Sequence, residues 1–117
     1  MKLQIVRVAD RGVPNKERLH LRVLAESTLA FYVVLRGKRV AHNQVSSGSV
    51  SAYWFPALPA KAGDQVIVYS GFGKNSSKLQ IDGSTIHFFY WGSESLLWSS
   101  ENDCAVVVEG SNWETGF

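Results

Sequence analysis

The stretch Tyr69-Ser70-Gly71-Phe72-Gly73-Lys74-Asn75-Ser76-Ser77-Lys78 has the residue types of a phosphate loop: glycines, a lysine and hydroxyls behind an apolar run. A Walker loop needs Gly, four residues, then Gly-Lys-Ser/Thr, because backbone amides wrap the phosphates and a following helix aims its positive end at them. Here Asn75 follows Gly73-Lys74, and Val68 stands where the first glycine belongs. The continuation Leu79-Gln80-Ile81-Asp82-Gly83 is too short and turn-rich to be that helix. The segment is expected to join two strands, and no cofactor is predicted.

Other chemistry-bearing residues are scattered. His20, His42 and His87 lie far apart, without the close His/Cys spacing of a metal site. His20 is expected to face solvent between Arg18 and Arg22, and His87 to be packed between Ile86 and Phe88 in a strand. The serines occupy turns, no GxSxG occurs and no carboxylate pair stands out, so the chain is expected not to be an enzyme. Glu94, Glu101, Asp103, Glu109 and Glu114 suit either a cation site at one end of the fold or solvated loops, and no metal is predicted. Cys104, in the run Cys-Ala-Val-Val-Val, reads as a buried thiol.

Charge is unevenly distributed along the chain. Residues 1–50 carry a net +6 and residues 51–117 a net −4. Arg18, His20 and Arg22 share one strand face; Arg36, Lys38 and Arg39 from the next hairpin would join them in a basic patch for phosphate backbones. A solvated sheet face is the alternative, and along the sequence aromatics do not interleave with these cations as in a single-strand binder.

These residues need elements to hold them. Residues 18–24 alternate Arg/His/Arg with Leu/Leu/Val, the period of a half-buried strand. Residues 29–35 are apolar on both faces and suit a central strand, which Arg36-Gly37-Lys38 then turns. Further strands are expected at 3–9, 51–55, 65–70, 85–91 and 104–109, with turns at 12–15, 46–49, 62–64 and 82–84. Short punctuated strands without a helical period indicate an all-β, antiparallel β-sandwich or barrel. The 117 residues suit one domain, 1–117, and the mean hydropathy of −0.04 suits a soluble chain. No apolar run approaches the roughly 20 residues that span a bilayer, and residues 1–12 lack a signal-peptide core. A cytoplasmic location and no membrane partner are expected.

The order of several motifs carries more. Phe55-Pro56, Ala62-Gly63-Asp64, Ser70-Gly71, Tyr90-Trp91-Gly92, Trp98-Ser99-Ser100 and Asn102-Asp103 succeed one another in a way that resembles the lamin-tail domain. Glu17-Arg18-Leu19-His20-Leu21 and residues 30–35 match the first half of that pattern more loosely. Asn102 replaces a turn glycine, and Ser99-Ser100 a pair of asparagines. The resemblance implies an immunoglobulin-like β-sandwich, a bacterial-type stand-alone member, and an accessory or interaction role without an active site. Trp91 and Trp98 are expected in the core, Gly63, Gly71 and Gly92 at turns of positive φ, and Asp64 and Asp103 on backbone amides. The expected function is a non-catalytic module binding an unidentified protein partner, with nucleic-acid binding through the basic face as the alternative. Self-association is open, with Trp113 and Phe117 available either to cover the core or to dock on another copy.

Overall fold

Alternating apolarity becomes strand almost wherever it occurs. The computed structural model describes residues 1–46 and 51–117. β1 (Leu3–Ala9) pairs antiparallel with β2 (Arg18–Val23), β4 (Tyr32–Ala41) follows the two-residue β3 (Ser27–Thr28), and β5 (Gln44–Val45) closes a hairpin on β4. β6 (Ser51–Trp54), β7 (Pro59–Ala60), β8 (Gln65–Tyr69), β9 (Ser76–Leu79), β10 (Thr85–Tyr90) and β11 (Asp103–Glu109) complete the set. The turn expected at 46–49 lies, beyond Ser46, outside the described residues.

The strands form a five-stranded sheet in the order β1-β2-β8-β10-β9 and a four-stranded sheet in which β4 pairs with β11, β5 and β6. β3 and β7 add a small two-stranded bridge. Inner residues of both sheets share one core: Leu19, Leu21, Val66, Val68 and Phe89 from the first meet Tyr32 and Val34 from the second. The fold is therefore an all-β sandwich. Phe89 reaches across to Phe55 edge-on at 5.2 Å and to Tyr53 at 6.3 Å, geometries that aromatic quadrupoles favour. Trp98 is fully buried and Trp91 packs edge-on against it at 5.8 Å, as their motif predicts. The Trp98 indole N–H finds no acceptor among the described residues, so this ring contributes through its area.

Several elements depart from the pattern. Residues 29–31 form a 3₁₀ turn before β4, and Arg36-Gly37-Lys38 does not turn the chain but continues β4 to Ala41. The reason is β11, whose Asp103, Cys104 and Ala105 pair with Lys38, Gly37 and Arg36. A side chain at Gly37 would start 3.3 Å from the Cys104 sulfur, and Cys104 is consequently half-buried on an outer face rather than in the core. The reversal falls instead at Asn43, whose φ of 63° is one that Asn tolerates. β9 carries no alternating apolar signal; it is strand because it pairs antiparallel with β10 at the sheet edge. The chain thus reverses twice between β8 and β10, which makes those neighbours the parallel pair of an otherwise antiparallel sheet.

A bulge in β1 keeps its two faces in phase with β2. Ile5 pairs with Leu21 and Arg7 with His20, so Val6 is the extra residue; Val8 then faces the core and Arg7 faces out.

Glu17 ties the loops at one end. It is 1% exposed, and its carboxylate accepts bonds from the N–H groups of Gly12 at 2.9 Å, Leu97 at 2.8 Å and Trp98 at 3.2 Å. Glu17→Ala would strand these donors, costing about 3 kcal/mol or more. Urea unfolding should show that loss, with Glu17→Gln retaining part of the stability; a midpoint unchanged in both variants would contradict the role.

Candidate functional site

The glycine loop is built as a strand connection. Asn75 Oδ1 accepts the Tyr90 N–H at 3.2 Å, and the chain passes directly into β9. Gly73 is required by contact, since a Cβ there would lie 2.3 Å from the Tyr90 ring. Gly63 and Gly92 take positive φ, whereas Gly71 does not. Beside the loop, Asn15, Ser70, Phe72, Ser93 and Glu94 border an open cleft of about 430 Å³ between strand ends.

Two further carboxylates anchor turns, as expected for Asp64 and Asp103. Asp64 accepts the N–H groups of Lys61 and Thr85, both at 3.0 Å, and contacts His87 Nε2 at 3.0 Å. His87 Nδ1 in turn meets Ser77 Oγ at 3.2 Å. Ser77, His87 and Asp64 thus stand in the order nucleophile, base and orienting acid. The imidazole is only 6% exposed, however, and the chain's evident work is to join β9 and β10 to the turn before β8. Asp103 accepts the Ser100 N–H at 3.0 Å and pairs with both Lys38 and Arg36. Burial pushes both carboxyls up, but the hydrogen bonds and cations outweigh it and hold both below the ordinary 3.8. Asn102 needs no left-handed backbone in this turn, which explains why glycine is dispensable there.

The six residues of the expected basic patch fall on two sheets. Arg18, His20 and Arg22 point outward from β2 in the five-stranded sheet, whereas Arg36, Lys38 and Arg39 belong to β4. Arg36 also donates to the Leu97 carbonyl at 2.8 Å. On the β2 face, Arg18 pairs with Asp10 at 2.6 Å and donates from Nε to His20 Nε2 at 3.1 Å. Burial first, then the charges of Arg7 and Arg18, hold His20 below its ordinary 6.5.

Cross-strand neighbours add what sequence order conceals: Tyr69 sits beside Arg18, and Arg7 beside His20. Tyr69 and Tyr90 stack at 5.1 Å with an 11° tilt. Aromatics do therefore interleave with the cations. The stack is nevertheless covered at both ends, by the Arg18 guanidinium 5.9 Å over Tyr69 and by Gly73 against Tyr90. The outward strand positions include Arg7, Arg22 and Lys78, and none holds Asp or Glu.

The opposite outer face is apolar. Val33, Leu35, Val106 and Val108 are neighbours across β4 and β11, and Trp54 and Ala52 extend the row onto β6. Trp113 packs here against Phe31 and Trp54 rather than over the core, and Phe117 is fully exposed. This face explains why residues 33–35 are apolar at both parities: the core takes Val34 only. Phe31 and Trp54 escape sequence reasoning because exposed and buried aromatics look alike in an apolar run.

Among the described residues no group of three or more His, Cys, Asp or Glu could hold a metal, and no helix is long and apolar enough to cross a membrane. The chain matches no protein-family model, curated protein or solved structure.

The lowered carboxyls set the acid response. A group whose folded pKa lies below its unfolded one adds stability above the unfolded value, which is lost as pH falls through the folded value. His20 should begin a modest loss below 6.5, and Asp64 and Asp103 a steeper one below 3.8. Urea midpoints measured against pH should fall accordingly, with Asp64→Asn and Asp103→Asn starting lower and declining less steeply; parallel profiles for wild type and variants would refute the assignment.

Proposed function

We propose that the chain is a non-catalytic interaction module of the bacterial lamin-tail type, an immunoglobulin-like sandwich that binds another protein through the outer face of its four-stranded sheet. The observation that carries this reading is the apolar row Val33, Leu35, Val106 and Val108, flanked by the exposed Trp54 and Trp113. Contiguous apolar surface of this kind is what a protein partner desolvates. Ordered motifs, the buried Trp98 with the half-buried Trp91 packed on it, and Asp64 and Asp103 on turn amides support the lamin-tail reading.

A second reading has its own support. The β2 face presents Arg7, Arg22 and Lys78 with no ion-pair partner among the described residues, and Asp10 is committed to Arg18. Arg18, His20 and Arg22 are the part of the expected patch that could meet a phosphate backbone here. Since the Tyr69–Tyr90 stack is covered, this contact would rest on charge and not on base stacking.

Leu35→Lys and Val106→Lys should each reduce capture of the partner from native-cell extract at least about tenfold, the effect of losing roughly 1.4 kcal/mol. Circular dichroism should be unchanged; equal capture by wild type and variants contradicts the protein-binding reading.

For the second reading, duplex DNA titrated across about 50 to 200 mM salt should give a slope of about −3 for log K against log salt if Arg7, Arg22 and Lys78 meet phosphates. Arg22→Glu should flatten it by about one unit. No binding at low salt removes this reading.

A further inference from the structure

Strand register places His20 among cations. Arg7 is its partner on β1, Arg18 and Arg22 flank it on the same face of β2, and on β8 its partner is Ile67, with Tyr69 beside it. Arg7 and Arg22 are exposed, and His20 is half-buried between them. The carboxylate that acts on His20 is Asp10, which Arg18 holds at 2.6 Å. Lys16 turns its carbonyl, at 2.8 Å, to the same guanidinium.

The Arg18 Nε–H donates to His20 Nε2 at 3.1 Å, which requires that nitrogen to be unprotonated. The neutral ring therefore carries its proton on Nδ1. A second proton would set two N–H donors against each other, with the Arg7 and Arg22 guanidiniums alongside. Burial and the charges of Arg7 and Arg18 act in the same direction and hold His20 below 6.5, with Asp10 opposing them. An anion over Arg7 and Arg22 reverses that balance, because negative charge beside an imidazole favours its cation. Arg18 can then release Nε2 and keep its contacts to Asp10 and Lys16, leaving the new N–H to donate to the anion.

The spacing of the cations selects a chain of anions. Arg22 pairs with Gln65, Gln65 with Ile86 and Ile86 with Lys78, so Lys78 stands in the Arg22 row three strands away. At about 4.8 Å per strand that is roughly 14 Å across the sheet. A run of phosphates meets both ends without drawing either side chain inward.

We propose that His20 completes a phosphate site with Arg7 and Arg22 and takes up a proton as a nucleic-acid backbone binds this face. The inference deepens, and rests on, the second reading above: it assigns the site on that face and makes its affinity rise with acidity.

The test titrates duplex DNA into the wild-type chain between about pH 5.5 and 8, a range in which phosphodiesters keep their charge and histidine changes its own. By NMR, the titration midpoint of the His20 imidazole should move up by about half a pH unit or more on saturation with DNA. A group that gains a proton on binding strengthens binding as pH falls, so affinity should rise at least about threefold toward the acid end. The slope of log K against log salt should steepen by about one, from about −3 to about −4, as a fourth cation engages. His20→Gln, which still offers Arg18 an acceptor but cannot become charged, should lose both the pH dependence and the steepening. An unmoved midpoint, or a pH profile that the variant shares, overturns the coupling while leaving the phosphate reading in place. No binding at either end of the range in about 50 mM salt removes both. The midpoint comparison uses the wild-type chain alone, so it stands even if the variant misfolds.

Discussion

Three buried carboxylates hold the ends of this sandwich in place. Strands supply their own hydrogen bonds, but the connections between them turn over the core with backbone amides that need acceptors. Glu17 receives three such amides from two separate loops, Asp64 two, and Asp103 one together with Arg36 and Lys38. Each joins segments distant in sequence: Glu17 reaches Leu97 and Trp98, and Asp64 reaches Thr85 and His87. Placement of Trp98 in the core therefore depends on an acid more than eighty positions earlier in the chain.

The main strands were legible because a sheet with one buried face imposes period two, which β2 obeys throughout, and because runs of β-branched residues mark a strand even where, as in β8, both faces are covered. The motif-level expectation for Trp98, Asp64 and Asp103 also agrees with their positions. What stayed hidden depends on partners. β9 is polar and becomes strand through β10, and Arg36-Gly37-Lys38 resembles a turn until β11 pairs alongside it. The six cations divide between β2 and β4, in different sheets, for the same reason, since nearness along the chain does not assign residues to a sheet. Phe31, Trp54 and Trp113 gather only because three separate segments end at one place.

The two outer faces differ in how their charge is spent. Of the seven Asp and Glu in residues 51–117 only Asp64 and Asp103 are buried, but none of the seven stands at an outward strand position of the five-stranded sheet, where Arg7 and Arg22 remain exposed. The sequence asymmetry thus becomes a spatial one on that side. On the other side, β4 supplies Tyr32 and Val34 to the core and Val33 and Leu35 to the outer surface, so one strand serves folding and contact together.

The extra residue in β1 has an evolutionary corollary. Most strands accept neither gain nor loss of a residue, because all later side chains would exchange sides. Here Val6 already absorbs such an offset, so shortening the strand at this point would convert an irregular ladder into a regular one while preserving which residues face inward on either side. Homologues differing in length by one at this site could keep the same interior, and an alignment that forced a gap elsewhere in the strand would misassign its two sides.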